Sequence, residues 1–318
     1  MIQPIWKKIY VDLGNADSVE YVISYSTGVS LVTIYHGKAW KTPGESSISI
    51  SINDICANWL SNAFPSLTEG FFHTDKIYLE FVVQTISAAG IYTEVARVNF
   101  INDWSYDQEH NPETDVLASP INRRIDRRQK LLWTSAGTSA IELELVMADG
   151  SSSTQTFNIF AKGTAVFTPL QWGDVAHVII NGQQYDIVDT CSRYVLYYLN
   201  AYGGWDSLLI EGAASEEDSL TKHSMSKPGV YDREKANYLN EIEKKITLHT
   251  SWLSDEQSLK MHHLLNSTDV YLHDLDKNVI LPVILDNSST PYKTFKGEGG
   301  KLVNYTIEVS VAQTRKRR

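Results

Sequence analysis

Apolar and polar residues alternate along this chain in short runs whose period is that of strands. From Ile5 to Tyr35 the runs "WKKIYVDLG", "VEYVISYS" and "VSLVTIYHG" are separated by Gly, Asn, Asp and Ser, the punctuation of a β-meander. In "SSISISINDICANWLSN", Ile48, Ile50 and Ile52 share one face and Ser47, Ser49 and Ser51 the other, which predicts a strand with one wet side. Asn53 or Asp54 then caps a short helix carrying Ile55, Trp59 and Leu60. "KIYLEFVVQTI" and "IYTEVARVNFI" add two strands. The stretch from Asn102 to Gln129 is polar, holds two prolines and reads as a long loop or linker. Strand patterning returns in "LLWTSAG", "AIELELVMADG" and "TQTFNIFAKG", and a softer boundary falls near Lys162 to Pro169.

Past that boundary, Asn181 and Gly182 sit between strand-like runs and give the strongest short hairpin signal in the chain. "RYVLYYLNAYGGWDSLLIEG" follows, and it breaks the usual rule. Tyr194, Leu196 and Tyr198 point one way and Val195, Tyr197 and Leu199 the other, so this strand has no wet side and is buried on both faces. One face is expected to fill its own domain and the other to meet an adjoining domain or subunit. Tyr194, Tyr197, Tyr198, Gly203, Gly204 and Trp205 are therefore the candidate interface, with the glycines allowing a tight turn and Trp205 plugging the seam. On the subunit reading, Tyr197→Asp abolishes assembly and leaves a folded monomer.

Residues 212–245 form a polar, charge-rich excursion, longer than compact domains spend on connection. In "SDEQSLKMHHLLNS", Ser254 at the N-cap and Gln257 three residues on make a capping box, predicting a helix over 254–266 with Leu259, His262 or His263, and Leu265 inside. Val303, Tyr305, Ile307, Val309 and Val311 alternate with polar residues as a long closing strand. The count is about fifteen strands against two helices. The expected fold is mainly β: tandem antiparallel β-sandwich domains, 1–165 (split near 103–130 by the long loop) and 166–318, with one or two short helices.

Composition narrows the chemistry. Of 318 residues, 42% are hydrophobic and 21% charged, which is ordinary for a globular chain, and the net charge of −10 disfavours nucleic acid as a whole-surface partner. Two local basic clusters qualify this: Arg123, Arg124, Arg127 and Arg128, and the tail Arg315, Lys316, Arg317 and Arg318. Each is an anchor for an acidic partner or nucleic acid, or a solvated segment. The only cysteines, Cys56 and Cys191, lie far apart and read as unpaired thiols of a reducing compartment. The N-terminus lacks the pattern of an export signal, and no run of apolar residues is long enough to span a membrane, so no membrane insertion is expected.

Reactive constellations do not emerge. His262 and His263 are adjacent instead of one helical turn apart, there is no H-E-x-x-H, and "HDLDKN" carries Val279 where a calcium loop needs Gly and so reads as a hairpin turn. No nucleophile elbow and no phosphate loop occurs. The reading is of a non-enzymatic chain with no catalytic residues, metal or cofactor.

The strings "IYHGKAWKTPGESSISISINDICANWL", "NDWSYD", "YYLNAYGGWDSLLIEG" and "SWLSDEQSLKMHHLLNSTDVYLHD", with "VILPVILD" beyond, resemble structural proteins encoded by phages and prophages of Bacteroidetes hosts. The C-terminal half is also similar in outline to the distal-tail and tail-tube class, whose members form rings around the tail lumen. The resemblance implies a tail or baseplate component of the virion, assembled in the host cytoplasm, with other copies of itself and other virion proteins as partners. It carries over no catalytic residue. The alternative is a carbohydrate-binding module in which Trp40, Trp104 or Trp205 stacks on sugar rings.

Overall fold

In the computed structural model the described residues are all except 1, 75, 106–116, 118–120, 122, 136–138, 160–161, 227–234, 288–301, 313–314 and 318. The fold is mainly β, with several distinct sheets and few short helices.

The first sheet has the order β1 (Ile2–Pro4), β8 (Tyr92–Ile101), β7 (Tyr78–Ile86), β3 (Ser18–Ser26), β4 (Leu31–Trp40). Its inner face, led by Ile23, Phe81, Val83 and Phe100, packs on Ile48, Ile52 and Cys56. Ile48 and Ile52 flank β5 (Ser49–Ser51), which pairs with β2 (Tyr10–Asp12) in a small two-stranded sheet, and Cys56 lies in the helix that follows, α1 (Asn53–Ala57). Neither Asn53 nor Asp54 caps α1: the N-cap position is Ile52, without a side-chain cap. Asn53 is buried, and its amide donates to the carbonyls of Ile5 (2.6 Å) and Lys7 (2.8 Å) while its oxygen accepts from the N–H of Ile9 (2.8 Å). It satisfies an irregular N-terminal stretch whose backbone groups have no ladder to join.

A three-stranded sheet, β10 (Leu131–Ser135), β13 (Gly163–Phe167) and β6 (Gly70–His73), forms a middle layer. Leu131, Trp133, Ala165 and Phe167 face Ile141, Leu143, Val178 and Ile180 of a five-stranded sheet. That sheet has the order β12 (Ser152–Ile159), β11 (Ser139–Met147), β14 (Val175–Ile180), β15 (Gln183–Val188), β9 (Arg124–Asp126), so the last part of the predicted loop is a strand. Leu132 and Val166 point the other way, into a second core. Every residue of β10 and β13 is buried, and residues 163–167, where the sequence suggests a boundary, are a strand between two layers. The expected hairpin joins β14 to β15, with Asn181 (φ 46°) and Gly182 (φ 81°) both left-handed as that turn requires.

The largest sheet has the order β17 (Trp205–Ile210), β16 (Tyr194–Leu199), β20 (Val270–Asp274), β21 (Val279–Leu285), β22 (Thr306–Val311), β19 (Lys235–His249), β18 (Ala214–Ser226), with β23 (Arg315–Arg317) also beside β19. Leu208 and Ile210 of β17 share one core with Ile246 and Leu248 of β19, so the sheet curls around its own interior. "HDLDKN" is the turn between β20 and β21, with Asn278 at φ 51°. Helix α2 (Asp255–Leu265) fills the open side, and its capping box is present: Ser254 accepts from the N–H of Gln257, and Gln257 accepts from the N–H of Ser254. Its buried face is Met261 and Leu264, with the expected Leu265 packed beside them. The spacing i, i+3, i+4 explains the choice, and His262 and His263 fall half-buried at its margin. Leu259's side chain lies outside the described residues. The closing segment alternates as predicted: Val303 bridges Leu253, and Tyr305, Ile307 and Val309 are buried.

The charged excursion is not a loop. It is a long antiparallel hairpin, β18 with β19, paired from Ala214 opposite Leu248 to Ser226 opposite Lys235. Ile246 and Leu248 root it in the core, and from Lys245 outward none of its described residues is buried. An arm wet on both faces has no apolar alternation, which is why its sequence reads as irregular.

Candidate functional site

Strand β16 lies between two cores. Tyr194, Leu196 and Tyr198 belong to the interior of the curled sheet, while Val195, Tyr197 and Leu199 join Leu132, Val166, Leu209 and Trp205 against the middle layer. The Tyr197 hydroxyl accepts from the N–H of Lys130 (2.9 Å) and donates to the same residue's carbonyl (3.1 Å), much as a paired strand would. Phe64 stacks on Tyr271 at 4.1 Å between ring centres and meets Trp205 edge-on at 4.9 Å. The Trp205 indole donates to the Asn62 carbonyl (3.1 Å), and the Asn62 amide donates to the carbonyl of Gly203 (3.1 Å).

The turn after β16 is equally committed. The Asn200 oxygen accepts from the N–H groups of Tyr202 and Gly204 (2.9 Å each), and its amide donates to Leu117 and Asp206. Gly203 has φ +85°, and a Cβ there would stand 2.6 Å from the Asn102 carbonyl oxygen. At Gly204 a Cβ would collide with the backbone of Leu117. The double glycine therefore serves close backbone approach within one chain.

All six candidate-interface residues are covered by this chain itself, Tyr197 and Tyr198 at 0% exposure and Trp205 at 1%. The second face of the strand meets another part of the same chain, so a contact between copies through Tyr197 or a sugar platform on Trp205 does not fit their burial. Asn62, Phe64, Lys130, Asn200 and Tyr271 complete the seam and were not legible as partners. Only Asn200, immediately ahead of a glycine turn, carries a local signal, that of an Asx turn. An aspartate at 197 places an uncompensated carboxylate in the seam, so Tyr197→Asp is expected to prevent folding, whereas Tyr197→Phe loses the two hydrogen bonds to Lys130, worth about 1–3 kcal/mol together. Circular dichroism and urea unfolding of both variants check this, and a folded Tyr197→Asp monomer would contradict the packing.

His273 stacks near Tyr197, 6.1 Å between ring centres, and is buried, with Nε2 at 3.2 Å from the Asn278 oxygen. Burial pushes its pKa down, the Lys130 charge adds to this, and the Asn278 bond and Asp274 oppose it. A histidine whose folded pKa lies below its unfolded value costs nothing above the unfolded value, about 6.5, and stability falls as pH drops below it. Urea midpoints measured between about pH 7 and about pH 5 should therefore fall more steeply for the wild type than for His273→Gln; parallel profiles would remove His273 as the cause.

The first basic cluster is tied into the chain. Arg128 donates to Asp126 (3.0 Å), Asp276 (3.1 Å) and the carbonyls of Thr190 (3.1 Å) and Ser192 (2.6 Å). Burial raises the Asp126 carboxyl, but hydrogen bonds from Arg128 and Thr190 outweigh it and hold the group below its usual range. Arg127 pairs with Asp189 (3.1 Å) and donates to the Gly173 carbonyl, and Arg124 pairs with Glu211 (3.0 Å). Of the four arginines, Arg123 and Arg124 are exposed. Arg124, Arg127 and Arg128 thus bind carboxylates and carbonyls of their own chain. In the tail, Arg315, Lys316 and Arg317 form β23 along the arm, and Arg318 lies outside the described residues.

The arm is pinned at its root. Arg193 reaches both Asp274 and Glu216 (2.8 Å each), and Tyr194 and Lys244 also bond Glu216. Lys244 first, then Tyr194, holds the Glu216 carboxyl down to about 2. Elsewhere, a cleft of about 700 Å³ is lined by Asn102, Trp104, Asn200 and Asn266, with Trp104 43% exposed and its indole donating to Asn102 (2.7 Å). Trp40 is exposed on β4 with the Lys38 ammonium 5.8 Å from its ring. Cys56 is buried, with its thiol pushed up to about 12 by burial, and Cys191 is exposed; neither forms a disulfide. Among the described residues no group of three or more His, Cys, Asp and Glu is placed to hold a metal, and no helix is long and apolar enough to cross a membrane. No family model matches the chain, and no curated protein matches it.

Proposed function

We propose that this chain is a non-enzymatic structural component of a bacteriophage virion, of the tail or baseplate, built of tandem β-sandwiches and assembling with its own copies into a ring that connects neighbouring virion proteins. The observation that carries the reading is the arm. Two paired strands of more than ten residues leave the body, expose Leu220, Met225 and Tyr238, and end the sheet in a free edge at β18 among the described strands. A monomer gains nothing from such an arm, since edges and exposed apolar side chains are liabilities in isolation. A ring uses them. The sequence resemblance to phage structural proteins and the multilayered β body support this reading.

The test is the mass of the full-length protein by light scattering, with negative-stain images of the same sample. Closed rings of one order are expected; a monomer that stays monomeric at every concentration tried contradicts the reading.

One observation favours a second reading, a carbohydrate-binding module. Trp104 stands at a cleft also lined by Asn102, Asn200 and Asn266, with its ring held by Asn102, the arrangement that stacks on a sugar face. On this reading a glycan array shows binding that Trp104→Ala abolishes and Trp40→Ala does not, and an array without Trp104-dependent signal ends it.

A further inference from the structure

The arm carries charge in a gradient across its width. In β18, Glu216, Glu217 and Asp218 stand against Lys222; β19 is near neutral, with Glu241 and Glu243 against Lys235, Lys244 and Lys245; β23 is Arg315, Lys316 and Arg317 without an acid. The strand order on the arm is β18, β19, β23, so one outer edge is acidic and the other cationic. Glu216 is tied to Arg193 and Lys244 at the root, whereas Glu217 and Asp218 are exposed.

We propose that copies of the chain join head to tail through these edges, the β18 edge of one arm, at Glu217 and Asp218, pairing with the β23 edge of the next. This inference rests on the ring reading and names the contact that makes the ring. An isologous pairing would set acidic edge on acidic edge or cationic on cationic, and like charges side by side on neighbouring strands repel. A head-to-tail pairing sets opposite charges together and repeats, so it closes into a ring when the rotation allows. Both β18 and β23 run antiparallel to β19, so the joined strands run parallel. The register supplies the stagger that closure demands: Glu217 lies opposite Lys245 and Lys316 opposite Glu241, four residues apart along β19, roughly 13 Å at the rise of a strand. Closing strands into a barrel requires such a shear, with the strands tilted to the axis. Lys and Arg on an edge also discourage pairing with any strand that brings no acid, so the cationic strand favours an acidic edge as its partner.

Charge exchange between full-length variants tests the contact. The first variant carries Arg315→Glu, Lys316→Glu and Arg317→Glu and has two acidic edges; the second carries Glu217→Lys and Asp218→Lys and has two basic edges. Each alone should be folded by circular dichroism and monomeric by light scattering, and an equimolar mixture should recover oligomers containing both chains, read by native mass spectrometry. Rings formed by either variant alone, as by the wild type, would overturn the edge contact while leaving the ring reading standing. Monomeric variants that fail to recover on mixing would overturn the edge contact as well. A wild type that forms no ring removes both.

Discussion

Everything in this molecule is arranged around a strand that cannot touch water. The six residues of β16 are buried on both faces, so the strand must have a core on either side, and the chain supplies both. Tyrosines bury large areas and carry a hydroxyl that usually finds a partner. The Tyr197 hydroxyl finds the Lys130 backbone on the middle layer, and Tyr194 finds Glu216 at the root of the arm. These bonds give each face a fixed partner. The glycines after the strand follow from the same constraint, because the turn must pass against the backbone of Asn102 and Leu117 without a side chain in the way.

The sequence carries this logic as far as local chemistry can take it. Two-sided burial of β16 was legible because period two exposes both faces to inspection, and the Asn181–Gly182 hairpin and the Ser254–Gln257 capping box were legible because turn and cap chemistry act within a few residues. What covers the second face was not. Phe64 and Asn62 lie more than a hundred residues from Trp205, in a stretch without periodicity, and nothing local says they will meet it. The partners of Arg124, Arg127 and Arg128 were hidden for the same reason. Arg128 reads as a free cation until Asp276, 148 residues on, and the carbonyls at 190 and 192 are brought to it.

Asn53 and the arm show a different kind of miss, in which local propensity points one way and tertiary need decides another. Asn is a good N-cap, but the irregular strand-poor stretch at Ile5–Ile9 needs donors and an acceptor, and Asn53 supplies them from inside the helix start. The arm has the polar composition of a loop because both its faces are wet; hydrogen-bond pairing, which composition does not record, makes it a hairpin.

A hairpin of this length is marginal alone in water, so something must hold it. Ile246 and Leu248 hold its base in the core, and one residue at the mouth of β16 adds a second hold. Arg193 grips Asp274 at the end of β20 and Glu216 on β18, and Glu216 in turn receives Tyr194 and Lys244. The arm is thereby fastened to the strand whose burial organises the body. If the arm is where copies meet, as we propose, a force or displacement arriving there is passed through Glu216 and Arg193 into β16 and so into both cores, without a flexible joint between. A ring that must hold its neighbours in place needs that stiffness. It obtains it from a few charge-assisted bonds at the root, which leaves the outer arm free to be polar, soluble and specific in what it pairs with.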